Sequence, residues 1–265
     1  TIDVHRFPDG ESRLQLPASL PPAVVLFRTL DHPNDKLVEL LIAAGGARAL
    51  GARDLTLVAP YLCYMRQDMA FVPGQPVSQR IIGRLLAEHF DAVVTVDPHL
   101  HRVATLDEAV PARRTACLGA AAALGDFLRG QVPPDSLLLG PDEESAQWVS
   151  QVAAPGGFAY AVASKQRFGD TEVRVTLPDA DVAGRTVVLV DDVISSGHTL
   201  MEAATALRAR GAAAVHAIAT HGLFAAGALA GMREAGIGQV WTSDAIPNPT
   251  SVVALAPLLA GPLVR

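Results

Sequence analysis

Apolar runs of strand length recur along this chain, separated by helix-like patterns, and no other feature limits its fold as strongly. The runs fall at residues 23–27 (AVVLF), 55–59 (LTLVA), 92–96 (AVVTV), 136–139 (SLLL), 158–163, 186–190 (TVVLV) and 213–219. Runs of this kind, alternating with helices, predict a parallel sheet covered on both faces. Residues 34–50 predict a helix with Leu37, Leu40, Leu41 and Ala44 on one face and Asn34 as its cap, although Gly45 and Gly46 interrupt it. Residues 77–89 and 199–210, the latter stopped by Gly211, predict two more. The fold class expected is α/β.

Each half of the chain holds a strand that ends in acidic chemistry, VVTVDPH in one and VVLVDD in the other. Two similar α/β units are therefore expected: residues 1–111, joined by 251–265, and residues 112–250. A single larger domain is the alternative. Composition removes several function classes. Half of the 265 residues are hydrophobic, so a disordered chain is excluded. A formal charge of −6 argues against a general nucleic-acid or anionic-membrane surface, and any anionic ligand must be held locally. Mean hydropathy is high at +0.29, yet the most apolar stretch, 212–231, is broken by His216, Thr220 and His221, so no membrane span is expected. Two cysteines, Cys63 and Cys117, are too few for a disulfide framework and suit a reducing compartment, so a cytoplasmic location is expected.

The most informative segment is 186–200, TVVLVDDVISSGHTL. Its apolar strand ends in Asp191 and Asp192, a small-residue turn follows with Ser195, Ser196 and Gly197, and a helix begins near Thr199. In an open parallel sheet ligands sit beyond the carboxyl ends of strands. A turn of this composition exposes backbone N–H groups beside a helix N-terminus, which together hold a phosphate without a cationic side chain. The two carboxylates would repel that phosphate but accept hydrogen bonds from sugar hydroxyls, or bind a metal through water. A simple strand-to-helix turn with capping residues is the plainer reading.

This segment resembles the binding signature of the phosphoribosyltransferase superfamily. The resemblance implies that Asp191 and Asp192 face ribose hydroxyls and that Ser195, Ser196, Gly197, His198 and Thr199 hold a 5-phosphate. The superfamily includes transferases that consume 5-phosphoribosyl diphosphate and diphosphokinases that make it. Further segments, in the same order along the chain, are similar to the ribose-phosphate diphosphokinase (PRPP synthetase) family: FPDGE at 7–11, PYLCYMRQD at 60–68 with QPVSQRIIGRLL after it, VDPH at 96–99, SKQR at 164–167 and APLLA at 256–260. The likeness runs from about Phe7 to Leu263.

That resemblance implies two phosphoribosyltransferase-like units and transfer of the diphosphoryl group of MgATP to the anomeric hydroxyl of ribose 5-phosphate, with Mg2+ as cofactor. It places Phe7, Asp9, Glu11, Arg66 and Gln67 on ATP, the first three reaching a neighbouring subunit's nucleotide, so a homo-oligomer, dimer or hexamer, is implied. It makes His99 and Asp142, the latter in GPDEESAQW, metal contacts, and Lys165, Arg167 and His99 catalytic. Composition adds weight to Lys165: the chain has only one other lysine, Lys36, against nineteen arginines. A cation pair there suits stabilisation of charge developing in transfer; a solvated loop is the plainer reading. His101 forms an H-x-H with His99, but without further spaced ligands a zinc site is not expected, and His101 reads as a polar loop residue.

The chain departs from the family where Met69, Ala70 and Phe71 follow Asp68 in place of basic residues, where Ser195 and His198 replace Asp and Gly, and where Glu143–Ser145 replace paired glycines. Two rival readings follow: a phosphoribosyltransferase consuming the diphosphate, which leaves Arg66, His99 and Lys165 without coordinated roles, and a catalytically weak regulatory relative.

Overall fold

The computed structural model describes residues 1–100, 102–168 and 172–263, so His101 lies outside the described residues. The fold is mixed α/β, and the chain divides into two compact units: Thr1–Leu118 with Leu259–Arg265, and Gly119–Leu258.

The first unit opens with an antiparallel hairpin, β1 (Asp3–Arg6) and β2 (Ser12–Gln15), whose register runs from Asp3 opposite Gln15 to Arg6 opposite Ser12. Val4 and Leu14 are half-buried while their neighbours in the strands face solvent, the period-two alternation of a ribbon lying on a body. Four parallel strands follow, β3 (Ala23–Phe27), β4 (Asp54–Ala59), β5 (Ala92–Val96) and β6 (Arg114–Leu118), in the spatial order of the sequence. The connections carry α1 (Pro33–Ala49), α2 (Ser78–His89) and the single turn α3 (Leu106–Ala109). Leu26, Leu55, Leu57 and Val93 of the sheet pack with Leu37, Leu40, Ala44 and Leu86 of the helices into one core.

The second unit holds a six-stranded parallel sheet. Along the chain come α4 (Ala121–Leu128), β7 (Leu137–Gly140), a 3₁₀ turn at Glu143–Ser145, α5 (Ala146–Gly156) and β8 (Ala159–Val162). A separate antiparallel ribbon, β9 (Ser164–Phe168) and β10 (Glu172–Thr176), precedes β11 (Thr186–Ile194), α6 (His198–Ala209), β12 (Ala214–Gly222), α7 (Ala228–Glu234), β13 (Ile237–Ser243), β14 (Ser251–Val253) and α8 (Ala256–Ala260). The strand order is β14-β13-β12-β11-β7-β8. Growth proceeds one way from β7 to β8 and the other way from β11 onward, so the order reverses between β7 and β11. Leu139, Val187, Leu189 and Ala217 pack against Leu200, Ala203 and Leu207 of α6.

Several boundaries differ from those read in the sequence. The expected division at 111 lies instead at Leu118, because β6 pairs in register with β5 and completes the first sheet. At the other end the first unit regains the chain at Leu259 rather than 251, since β14 pairs with β13 of the second sheet. The strand expected to end at Val190 runs on to Ile194, where β12 continues to pair with it. Asn34 does not cap α1. The cap position is His32, in the left-handed region at φ 46°, and the Asn34 side-chain oxygen accepts a hydrogen bond from the Tyr64 hydroxyl at 2.5 Å.

Four described residues other than glycine adopt positive φ: His32 (46°), Tyr64 (61°), Asp97 (38°) and Phe224 (40°). They follow β3, β4, β5 and β12, so each lies beyond the carboxyl end of a parallel strand. Such conformations cost on the order of 1–3 kcal/mol each and cluster where a side chain is needed in one place.

Candidate active site

In the second unit the reversal of strand order leaves a crevice beyond the carboxyl ends of β7 and β11, the general position for a ligand in an open α/β sheet. Asp142 stands two residues after β7. Its Oδ1 accepts from the Ser145 N–H at 3.2 Å and its own N–H donates to Ser145 Oγ at 3.3 Å, which closes a capping box, and the Ser145 hydroxyl donates in addition to the Asp142 carbonyl at 2.5 Å. Ser145 sits on Gly140 so closely that a Cβ there would lie 2.4 Å from its Oγ. Glu143–Ser145, which replace paired glycines, thus form a tight turn that fixes Asp142.

Asp191 and Asp192 lie on β11 itself, not in the turn. The Asp192 N–H donates to Asp191 Oδ1 at 3.0 Å, and Asp192 is buried. Burial pushes the Asp191 carboxyl well above the usual carboxylate range, and the charges of Asp192 and then Asp142 add to the rise. The charges of Asp192 and Asp142 therefore work against ionisation of Asp191, and hydrogen-bond donors or positive charge from a ligand would favour it.

The bend is shorter than the sequence suggests: Ser195, Ser196 and Gly197. Gly197 holds φ 75°, which favours glycine, and a Cβ there would come within 3.2 Å of the buried Met232 side chain, which would have to shift. The Leu223 and Phe224 N–H groups donate to the Ile194 carbonyl at 2.9 and 3.1 Å, and the Ala225 N–H donates to the Ser195 carbonyl at 3.0 Å. The bend is thus braced from behind by backbone. Helix α6 starts at His198 after Gly197, which has no side chain to cap it, and its N-terminal dipole favours an anion. Ser196 and His198 are exposed.

Lys165 and Arg167 occupy β9, opposite Val175 and Val173 of β10. The expected catalytic loop thus begins on a paired strand.

In the first unit, residues 7–11 form the turn between β1 and β2. The Phe7 N–H donates to the Glu11 carbonyl at 2.8 Å, the Gly10 N–H to the Phe7 carbonyl at 3.0 Å, and the Glu11 N–H to Asp9 Oδ1 at 3.1 Å. Phe7 is exposed and meets His5 edge-on with ring centroids 4.8 Å apart; Asp9 and Glu11 also face solvent. An exposed aromatic ring beside acidic groups suits stacking on a base and hydrogen bonding to its amino group.

The hairpin base is held by Glu39 of α1, which is buried at 3% exposure. Its Oε1 accepts from the Arg6 guanidinium and the Ser12 hydroxyl, both at 3.2 Å, and its Oε2 from Arg28. Burial alone would raise this carboxyl, but the Arg28 charge and the hydrogen bonds from Arg6, Arg28 and Ser12 hold it below its ordinary value. The sequence reading missed Glu39. The available signal was one acid among the apolar residues of α1, with arginines at 6 and 28 before it.

Arg66, Gln67 and His99 follow β4 and β5, adjacent strands, and so belong to one end of the first sheet. Arg66 is exposed. The Gln67 side-chain oxygen accepts a hydrogen bond from the Ser78 hydroxyl and its carbonyl one from the Gln79 N–H at 3.2 Å, which fix the side chain at the start of α2. Asp68, with a side chain 3% exposed, is held by Arg102 at 3.0 Å. His99 is half-buried after the strained Asp97.

Among the described residues, no three His, Cys, Asp or Glu side chains converge to hold a metal unaided. A divalent ion here fits one hard, oxygen-liganding mode, in which a carboxylate or two share it with substrate phosphates and water, as magnesium is usually held. No helix among the described residues is long and apolar enough to cross a membrane.

A family model described as the N-terminal domain of ribose phosphate pyrophosphokinase matches residues 1–89, and one described as the phosphoribosyl synthetase-associated domain matches residues 163–256. The ribose-phosphate pyrophosphokinase of Methanopyrus kandleri is 38% identical over 262 residues, covering 98% of this chain and 88% of its own. That of Thermococcus kodakarensis is 32% identical over 258 residues, covering 97% and 90%. The solved phosphoribosylpyrophosphate synthetase of Mycobacterium smegmatis superposes with a TM-score of 0.85 at 26% identity, covering 99% of this chain and 89% of that one.

Proposed function

The chain belongs to the ribose-phosphate pyrophosphokinase family, and from that premise we propose how its residues divide the reaction. The enzyme transfers the diphosphoryl group of ATP to the anomeric hydroxyl of ribose 5-phosphate, giving 5-phosphoribosyl diphosphate and AMP. The arrangement that carries the assignment of the sugar site is the second unit's crevice, where the bend Ser195–Gly197 and the start of α6 lie beside Asp191 and Asp192. The bend, His198 and Thr199 hold the 5-phosphate through N–H and hydroxyl donors. Asp191 and Asp192 accept hydrogen bonds from the ribose hydroxyls, whose donors relieve the repulsion between the acids.

Phe7, Asp9 and Glu11 take the adenine of a neighbouring copy in a homo-oligomer, dimer or hexamer, and Arg66 and Gln67 contact the same nucleotide. Asp142 of the second unit would offer Mg2+ a carboxylate and His99 of the first unit an imidazole, and the ion would supply neutralisation of phosphate charge. Lys165 and Arg167 stabilise charge on the transferred group and leaving phosphate. Catalysis is positioning and electrostatics, with the anomeric hydroxyl attacking the β-phosphorus directly and no covalent enzyme intermediate. The enzyme works in the cytoplasm.

Incubation with MgATP and ribose 5-phosphate is expected to release AMP; ADP as the sole nucleotide product would overturn the reaction type. Lys165→Ala is expected to lower kcat by about 10²–10³-fold, the scale of a lost transition-state donor. An unchanged kcat would remove Lys165 from catalysis and favour a transferase that consumes the diphosphate.

A further inference from the structure

The buried carboxylate of Glu39 has no place in the chemistry assigned above, yet its contacts are specific. Carboxylates are seldom fully buried unless paired, and desolvating one brings a penalty that good geometry only offsets. Glu39 engages Arg6 and Ser12, and these two residues are register partners, the last rung of the hairpin before the turn at 7–11. The third donor, Arg28, is the residue after β3, anchored by its own N–H to the Val58 carbonyl at 2.9 Å. One carboxylate from α1 therefore grips both stems of the turn and ties them to the edge of the sheet. The turn beyond that rung is exposed, and the hydrogen bonds donated by Phe7, Gly10 and Glu11 close within it, so its direction is set at its base. The half-buried Val4 and Leu14 hold the ribbon against the body, but apolar contact is non-directional and does not fix which way the tip points.

We propose that Glu39 is a positioning residue for nucleotide binding: through Arg6 and Ser12 it aims the exposed loop Phe7–Glu11 at the adenine. The inference rests on the assignment of that loop to ATP. It makes α1, which touches no substrate, a determinant of nucleotide affinity, and it separates the two substrates, because ribose 5-phosphate is held by the other unit.

The test is steady-state kinetics on the full-length enzyme with each substrate varied in turn, with melting temperature recorded alongside. Glu39→Gln keeps the shape and removes the charge. The KM for ATP is expected to rise about tenfold, the scale of a lost charge-assisted hydrogen bond, with kcat within about twofold and the KM for ribose 5-phosphate unchanged. Phe7→Ala is expected to raise the KM for ATP as well. The double variant should be little worse than the worse single, because both act through one loop. If Phe7→Ala raises the KM for ATP and Glu39→Gln lowers only the melting temperature, the positioning role is wrong. If Phe7→Ala leaves that KM unchanged, the loop's assignment to ATP falls and this inference with it. Should Glu39→Gln not fold, Ser12→Ala and Arg6→Gln carry the same readout with an expected rise of about threefold each; unchanged KM values in both overturn the proposal.

Discussion

The two sheets of this enzyme solve the placing of a ligand in different ways. In the second, the strand order reverses between β7 and β11, and backbone alone makes the crevice, the bend and its brace. In the first, strands follow one another in sequence order and no such crevice arises. Its candidate nucleotide residues stand on connections: a hairpin turn, the segment after β4 and the strained start of the segment after β5. These must be aimed by side chains, through Glu39, Ser78 and Arg102. A backbone-made site is vulnerable at its glycine, whereas a side-chain-made site is vulnerable at its clamps.

Mutation can break this contrast at its strongest point first. Gly197→Ala puts a side chain at φ 75° against the buried Met232. The left-handed conformation costs about 1–2 kcal/mol for an L-residue, and displacement of the bend is expected to weaken ribose 5-phosphate binding by about a hundredfold. Isothermal titration with the sugar phosphate alone checks this, and an unchanged affinity would show that the bend is not the phosphate site. No single alanine in the Phe7–Glu11 turn should match that effect, since its hydrogen bonds are shared among several groups.

Asp191→Asn sharpens the contrast with a smaller effect of opposite sign on stability. Asp191 is raised by burial and by the charges of Asp192 and Asp142, so its ionised form works against the fold. Removing that charge is expected to increase the melting temperature of the ligand-free enzyme by a few degrees while activity falls by at least about tenfold. The same charge-removing change at Glu39, whose carboxyl is held low by its partners, should reduce the melting temperature. Differential scanning calorimetry of the two variants tests the pair, and equal signs would refute the distinction.

The smallest expected effect lies at His216 of β12. Its Nδ1 accepts the Gln239 N–H at 3.1 Å, its ring lies 5.2 Å from Trp241, and burial holds it below its ordinary pKa of 6.5. A group easier to protonate unfolded than folded contributes stability that is full above the unfolded pKa and is lost as pH falls through that value toward the lower folded one. The melting temperature should therefore fall between about pH 7 and pH 5, and His216→Gln should flatten that slope by a few degrees at most. An identical slope in the variant would exclude His216 as a source.

The α/β class and the long elements were legible because β4, β5, β7 and β11 are apolar runs that a buried parallel strand demands, and α6 carries a clear stop in Gly211. Strands β2, β9 and β10 escaped notice because four or five residues of mixed polarity in a ribbon leave no period longer than chance. The strand end at Val190 was misplaced because Asp191 looks like an ending; pairing with β12 holds the backbone extended through both acids to Ile194. Asn34 had the chemistry of a cap but lay two residues inside, where Tyr64 engages it. Motif residues such as Asp142 and Gly197 were found because their spacing is local. Glu39 was not, because Arg6, Ser12 and Arg28 meet it only after the chain has folded back, and one-dimensional spacing contains no trace of that encounter.

The crowding of Asp142, Asp191 and Asp192 has a consequence beyond chemistry. A fold whose acids push apart when the crevice is empty gains from any ligand that binds only the native form, by mass action. If that ligand is the sugar phosphate, its scarcity would leave more of the chain transiently open to proteases, a difference that limited proteolysis with and without ribose 5-phosphate would reveal.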